Sequence, residues 1–190
     1  MDPQATIDPA AREFSARYEQ LAPALCVWAL RHVSRTVQAR IEVDDVLQET
    51  WLRAFKLRDQ FRGDAPAFRS WIFAIAKNLL LEVQRSARRL QRVQIGDGRT
   101  TNLGAFDQLS ASMTALSQRL LRDDGIRRFH DHLATLPRED QDLVSYCGLE
   151  GSTAAAAAQK LGIGVEAAHK RWQRLRQRLH EDGLVHDWLT

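Results

Sequence analysis

The chain holds 190 residues, 44% of them hydrophobic and 27% charged, with a formal net charge of +3. That balance excludes global disorder, and the length suits one ordinary domain or two small ones. No apolar run approaches the roughly 20 residues that a bilayer crossing needs, so no membrane insertion is expected. Met1-Asp2-Pro3-Gln4 has neither the basic flank nor the apolar core of a secretory signal. The two cysteines, Cys26 and Cys147, fit no disulfide framework or zinc spacing, and the expected compartment is a reducing cytoplasm. The charge is unevenly spread. Residues 165–180 hold five cations and one acid, residues 82–99 hold five arginines and two acids, and residues 42–50 hold four acids and no cation. Two basic segments and an acidic one point to a polyanion on some faces and a different partner on another.

In chain order, the pattern predicts helices nearly throughout, and neither sustained alternation nor a hairpin signal predicts a strand. Residues 14–37 carry Phe14, Tyr18, Leu21, Leu25, Trp28 and Ala29 at mostly three- and four-residue steps, an amphipathic stripe. Pro23 is expected to divide this stretch into a short and a longer helix. Residues 43–57 form the next helix, with Val43, Val46, Leu47, Thr50, Trp51, Ala54 and Leu57 facing the core. The opposite face holds Asp45, Gln48, Glu49, Leu52 and Lys56. An exposed leucine among acids and an amide suits a protein-docking face with a small apolar centre and a polar rim.

A loop over residues 59–66 follows, punctuated by Gly63 and Pro66. Phe68, Trp71, Ile72, Ile75, Leu79 and Val83 then step along a helix that ends in a basic tail. Beside this stripe Trp71, Asn78 and Arg85 share one flank, with Arg89 close by. A ring, an amide and two guanidiniums there suit stacking, base-edge bonding and phosphate contact. Residues 96–104 are rich in breakers and residues 110–114 are polar and weakly patterned, a linker composition in which residues 116–121 fit at most a helical turn or two.

The second block reads as three helices, a tight turn and a fourth helix. Leu136-Pro137 opens a helix with proline in the first turn, and Leu143, Val144 and Cys147 give it an apolar face. Ser152 or Thr153 caps an alanine-rich helix ending at Leu161, and Gly162-Ile163-Gly164 is the turn. Val165, Ala168, Trp172, Leu175 and Leu179 then face inward, leaving Glu166, His169, Lys170, Arg171, Gln173, Arg174 and Gln177 outward. A short helix of small residues, a glycine turn and a longer helix with forked donors outside are the parts of a DNA-reading helix-turn-helix. The expected fold is therefore all-α: two small helical domains, residues 10–95 and 126–183, joined by a flexible linker over 96–125.

Enzyme chemistry finds no footing. There is no glycine-rich phosphate loop, no serine elbow and no His-Glu-x-x-His. His130 and His132, two apart, do not share a helix face, and neither do Asp44 and Asp45. No catalytic activity, cofactor or metal is expected.

Three stretches resemble region 2 of the bacterial extracytoplasmic-function sigma factors: Asp44-Asp-Val-Leu-Gln-Glu-Thr-Trp-Leu-Arg-Ala-Phe55, Phe61-Arg-Gly63, and Phe68-Arg-Ser-Trp-Ile-Phe-Ala-Ile-Ala-Lys-Asn78. Leu136-Pro-Arg-Glu139, Leu161-Gly-Ile-Gly-Val165 and Lys170-Arg-Trp-Gln-Arg-Leu-Arg176 are similar to region 4 of that family. The resemblance implies a factor that binds core RNA polymerase, directs it to specific promoters and assists promoter melting. It implies that Asp45, Gln48, Glu49 and Leu52 dock on polymerase. It implies that the Phe61-Arg62-Gly63 loop and Asn78 capture an unstacked base of the −10 element, where the flank reading adds Trp71, with Arg85, Arg88 and Arg89 of the basic tail along the backbone. His169, Lys170, Arg171, Arg174 and Arg176 match the part that enters the −35 major groove. Implied partners are core RNA polymerase, promoter DNA, and an anti-sigma factor or other regulator. Departures fall in the helix-turn-helix, at Ala155–Ala157, Gly164, Ala167 and Trp172, and bear on the −35 sequence read. Two rivals stand beside this reading. A stand-alone helix-turn-helix regulator leaves Asn78 and the acidic face without work, and a metal-dependent nuclease lacks its carboxylate cluster.

Overall fold

The computed structural model describes residues 9–33, 41–90 and 107–189, apart from the side chains of 87–90 and 107–110. Among these residues the fold is all helical, without a strand. The elements are α1 (Pro9–His32), α2 (Val43–Leu57) with a short 3-10 turn (Arg58–Gln60), α3 (Ala65–Leu90), α4 (Asp107–Arg122), α5 (Asp124–Thr135), α6 (Arg138–Leu143) continuing into a π-helical turn (Val144–Leu149), α7 (Ala154–Leu161) and α8 (Val165–Glu181).

The starts of these helices follow from short-range chemistry. The Glu42 amide donates to Asp45 at 3.0 Å, so an acid meets the donor end of α2. Asp64 accepts from the Ala67 amide at 2.9 Å. Asp123 accepts from Gly125 and Ile126 at 2.8 and 3.0 Å. Thr153, of the two candidates, caps α7 by accepting from Ala156 at 3.2 Å. Gly162, at φ +67°, ends α7 in the left-handed conformation that glycine adopts without steric penalty.

Pro23 does not divide α1. The helix runs unbroken through it, because Leu21, Ala22 and all of Ala24–Ala29 are buried on both sides. Packing there holds the axis across the one hydrogen bond that proline cannot make. This half of α1 is enclosed on every side rather than striped. The helix packs against α2 and α4 and also against α5 and the π-helical turn. One apolar core consequently runs through both blocks, from Trp28, Trp51 and Phe73 to Phe129, Leu133, Leu143 and Leu149, all fully buried. Each such side chain stabilises the fold by about 1.5–3 kcal/mol.

The span expected to be linker contains α4, whose Met113, Leu116, Ser117 and Leu120 are buried. It lies against α1 and α2. Both cysteines are buried thiols. Burial pushes the Cys26 thiol up to about 12 and the Cys147 thiol up to about 11, so both stay protonated.

Candidate polymerase and DNA interfaces

The aromatic residues around the 59–66 loop assemble into one cluster. Phe61 stacks on Trp71 at 4.9 Å and meets Phe68 edge-on at 5.5 Å. Phe14 contacts Phe68 and Phe55 edge-on, both at 5.6 Å. Arg17 lies over the Phe68 ring at 4.5 Å and near the Phe61 ring at 5.8 Å. Gly63 makes the loop close: a Cβ there would come 2.8 Å from the Ala67 Cβ and 3.0 Å from the Phe61 ring. Arg62 is exposed and donates to the Asp59 and Phe61 carbonyls at 2.6 and 2.8 Å, which stiffens the loop tip.

From this cluster α3 presents its flank as expected from the spacing. Trp71 is half-buried and Asn78 and Arg85 are exposed. Asn78 stands about 10 Å along the helix from Trp71, at 1.5 Å per residue. Its amide has no protein partner among the described residues. A half-covered ring, an open amide and an open cation on one flank can stack, pair and neutralise a nucleotide. The Arg88 and Arg89 side chains lie outside the described residues.

The face of α2 opposite its core differs from expectation in one respect. Asp45 is exposed, and Gln48 and Glu49 are half-buried. Leu52, expected as an exposed apolar centre, is only 8% exposed. The reason is that α4 packs along α2, where Gln48 donates to the Ser117 hydroxyl at 3.4 Å. Glu49 accepts from Arg53 at 2.7 Å, and Arg53 reaches Glu82 of α3 at 2.8 Å.

The short helix, glycine turn and long helix form as read, except that Val165, expected to face inward, is 54% exposed at the first turn of α8. Ala157 and Ala158 of α7 and Ala168 of α8 are buried where the two helices pack together, as small side chains at a close approach should be. His169, Lys170, Arg174 and Arg176 are exposed along α8. Lys170 pairs with Glu166 at 3.5 Å, and Gln173 contacts His169 at 3.0 Å. Arg171 is different. Its guanidinium is held by Glu139 and Asp140 of α6 and is turned back toward its own domain. The hydrogen bonds it donates to Glu139 and Asp140 raise its pKa further. That makes Arg171 a tie between α6 and α8 rather than an open donor.

Sequence reasoning missed a second set of polar residues. Glu150 is 3% exposed, accepts from Trp28 Nε1 at 3.1 Å, and pairs with Lys77 and, at 3.7 Å, with Lys160. Arg31 binds Asp142 and, at 3.4 Å, Gln141. Both networks join the first block to the second. The available signal was the unbroken apolar stretch over residues 21–30, which marks a helix buried all round.

Residues 17–90 match the family model of Sigma-70 region 2. The chain is 30% identical over 175 residues to the ECF RNA polymerase sigma factor SigL of Mycobacterium tuberculosis, an alignment covering 90% of each chain. It is 27% identical over 138 residues to the RNA polymerase sigma factor CnrH of Cupriavidus metallidurans, covering 73% of this chain and 71% of that one. No solved structure matches the chain. Among the described residues no helix is long and apolar enough to cross a membrane. The region 2 match falls on α1–α3, the helices that carry the aromatic cluster and the Asn78 flank, and the SigL alignment covers nine-tenths of the chain: the chain belongs to the extracytoplasmic-function sigma factors, which direct RNA polymerase to specific promoters.

Proposed function

We propose that residues 10–95 form the unit that binds core polymerase and the −10 element, and that residues 126–183 form the −35 unit. The observation that carries this is the α3 flank, where Trp71, braced by Phe61, shares an open face with Asn78 and Arg85. A base pulled from the duplex finds a ring to stack on and an amide to pair with, which offsets an unstacking cost of a few kcal/mol. Arg62, Arg88 and Arg89 join the backbone contacts of this unit. His169, Lys170, Arg174 and Arg176 supply the donors of the −35 helix, with Arg171 bracing it. Asp45, Gln48 and Glu49 make the polymerase face, with Leu52 buried beneath it. The chain acts by binding, without a reaction of its own, in the cytoplasm, and an anti-sigma factor or similar regulator restrains it.

The test is run-off transcription with core polymerase on a promoter library. Promoter-selective transcripts that need both the chain and polymerase are expected. Binding and regulation of DNA without polymerase would favour the stand-alone regulator instead. Reversing Asp45 and Glu49 to lysine should weaken polymerase capture in a pull-down while helicity is unchanged, and undiminished capture would move the docking face elsewhere.

A further inference from the structure

Beyond α8 the chain reverses on Gly183, at φ +67°. The Gly183 amide donates to His180 at 3.0 Å and the Leu184 amide to Leu179 at 2.8 Å, which sends residues 184–189 back across the body. Trp188 stacks on His186 at 4.9 Å and meets Phe129 of α5 edge-on at 5.1 Å. The Trp188 carbonyl accepts from both terminal nitrogens of Arg69, at 3.0 and 3.1 Å. Arg69 also donates to the Leu149 carbonyl at 2.7 Å. Arg69 stands on α3, two residues before Trp71. Leu189 closes on the π-helical turn, where a Cβ on Gly148 would come 2.8 Å from Leu189 and 2.9 Å from Trp172. A cavity of about 590 Å³ remains beside the contact, lined by residues of α1 and α3 on one side and by Trp172, Asp187 and Trp188 on the other. The segment therefore belongs to the second block by its aromatic packing and to the first by its hydrogen bonds.

The two DNA faces cannot work in this closed form. Elements at −10 and −35 lie about 25 base pairs apart, or about 85 Å at 3.4 Å per base pair. A compact chain of this length has a radius of gyration of about 16 Å. One body of that size does not reach both elements, so the contact between the halves has to open.

We propose that residues 184–189 are an intramolecular strap that fastens the helix-turn-helix half to α3, and that release of Trp188 from Arg69 accompanies engagement with polymerase and promoter. This rests on the reading of α3 and α8 as the −10 and −35 faces. The strap acts by population: polymerase binds the open form, and its apparent affinity is reduced by the fraction that is open. The tail thereby sets how readily the free factor is captured.

Two full-length variants test it. Arg69→Met keeps the apolar stem and removes the donors to Trp188, and Trp188→Ala removes the wedge against Phe129. Small-angle scattering should show the radius of gyration rising above about 16 Å with helicity unchanged. Titration with core polymerase should show apparent affinity rising on the order of tenfold. If Trp188→Ala loses helicity, Arg69→Met decides. An Arg69→Met chain that stays as compact as the parent overturns the strap, whatever its affinity. An expanded variant, with neither it nor the parent binding polymerase, upholds the strap and overturns the polymerase reading instead.

Discussion

Gly63 sets how closely the loop lies against α3. A methyl group there would stand 2.8 Å from the Ala67 Cβ and 3.0 Å from Phe61, so Gly63→Ala has to displace the stack on Trp71. The expected cost is about 1–3 kcal/mol in chemical denaturation, recovered in part by adding Ala67→Gly; an unaltered midpoint would show that the loop has slack. Asn78 predicts differently, since it is exposed and its amide has no hydrogen-bond partner among the described residues, so its removal should spare stability. Asn78→Ala should slow open-complex formation on duplex promoters, and the defect should shrink on a template already mismatched across −10. Full activity on duplex would remove Asn78 from the site. His32 illustrates a residue whose role is acid sensitivity of the fold. Its ring stacks on Trp28 at 4.4 Å, with Nδ1 2.8 Å from the Trp28 carbonyl and Nε2 3.2 Å from Arg31. With Arg31 donating to Nε2, the single ring proton sits on Nδ1, and a second proton has no acceptor. Burial first, then Arg31 and Lys77, lower its pKa from 6.5, against the pull of the Trp28 carbonyl and Glu150. The unfolded chain therefore takes up this proton first as pH falls. Stability should decline from about pH 6.5 downward until the folded value is passed. His32→Gln should flatten that part of a denaturation series between pH 7.5 and 5.5, and an unchanged slope would assign it to other groups.

At the scale of elements, α8 separates two kinds of arginine that spacing alone cannot. Arg174 is open to solvent, while Arg171 is tied to Glu139 and to Asp140, which is 7% exposed. Arg174→Ala should cost about 1–3 kcal/mol at one base-pair position and relax preference there. Arg171→Ala should instead leave Asp140 without its cation, lower stability by about 1–3 kcal/mol and weaken all promoters alike. Holoenzyme binding to a −35 library separates the two; a base-specific loss in Arg171→Ala would return it to the reading surface. Helix positions were legible because the apolar period repeats several times in each. Pro23 misled because a local hydrogen bond was weighed without the packing around it. The span of α4 was read as mostly linker because Ser110, Ser112, Thr114 and Ser117 dilute the Met113, Leu116 and Leu120 stripe. Leu52 was misplaced for the same cause: a second layer over α2 is invisible while α4 is unrecognised.

For the whole molecule, the pattern on each half was legible and the joint between them was not. A periodic stripe reports that a face is buried, never which element covers it, and a single carboxylate such as Glu150 has no sequence signature at all. The structure sets Glu150 beneath the joint, answering Trp28 and Lys77 from the first block and Lys160 from the second. A buried acid in this position specifies one docking arrangement, because any slip leaves its charge desolvated and unpaired. Glu150→Gln should keep an acceptor for the Trp28 indole and lose both ionic partners. Hydrogen exchange should then rise in α1 around Trp28 and in the π-helical turn, while the interior of α2 stays protected, since only the joint is loosened. Lys77→Met in the same chain removes the cation left unanswered and should recover part of the loss, a coupling of about 1–2 kcal/mol. Strict additivity of the two substitutions would show that the network contributes nothing to docking.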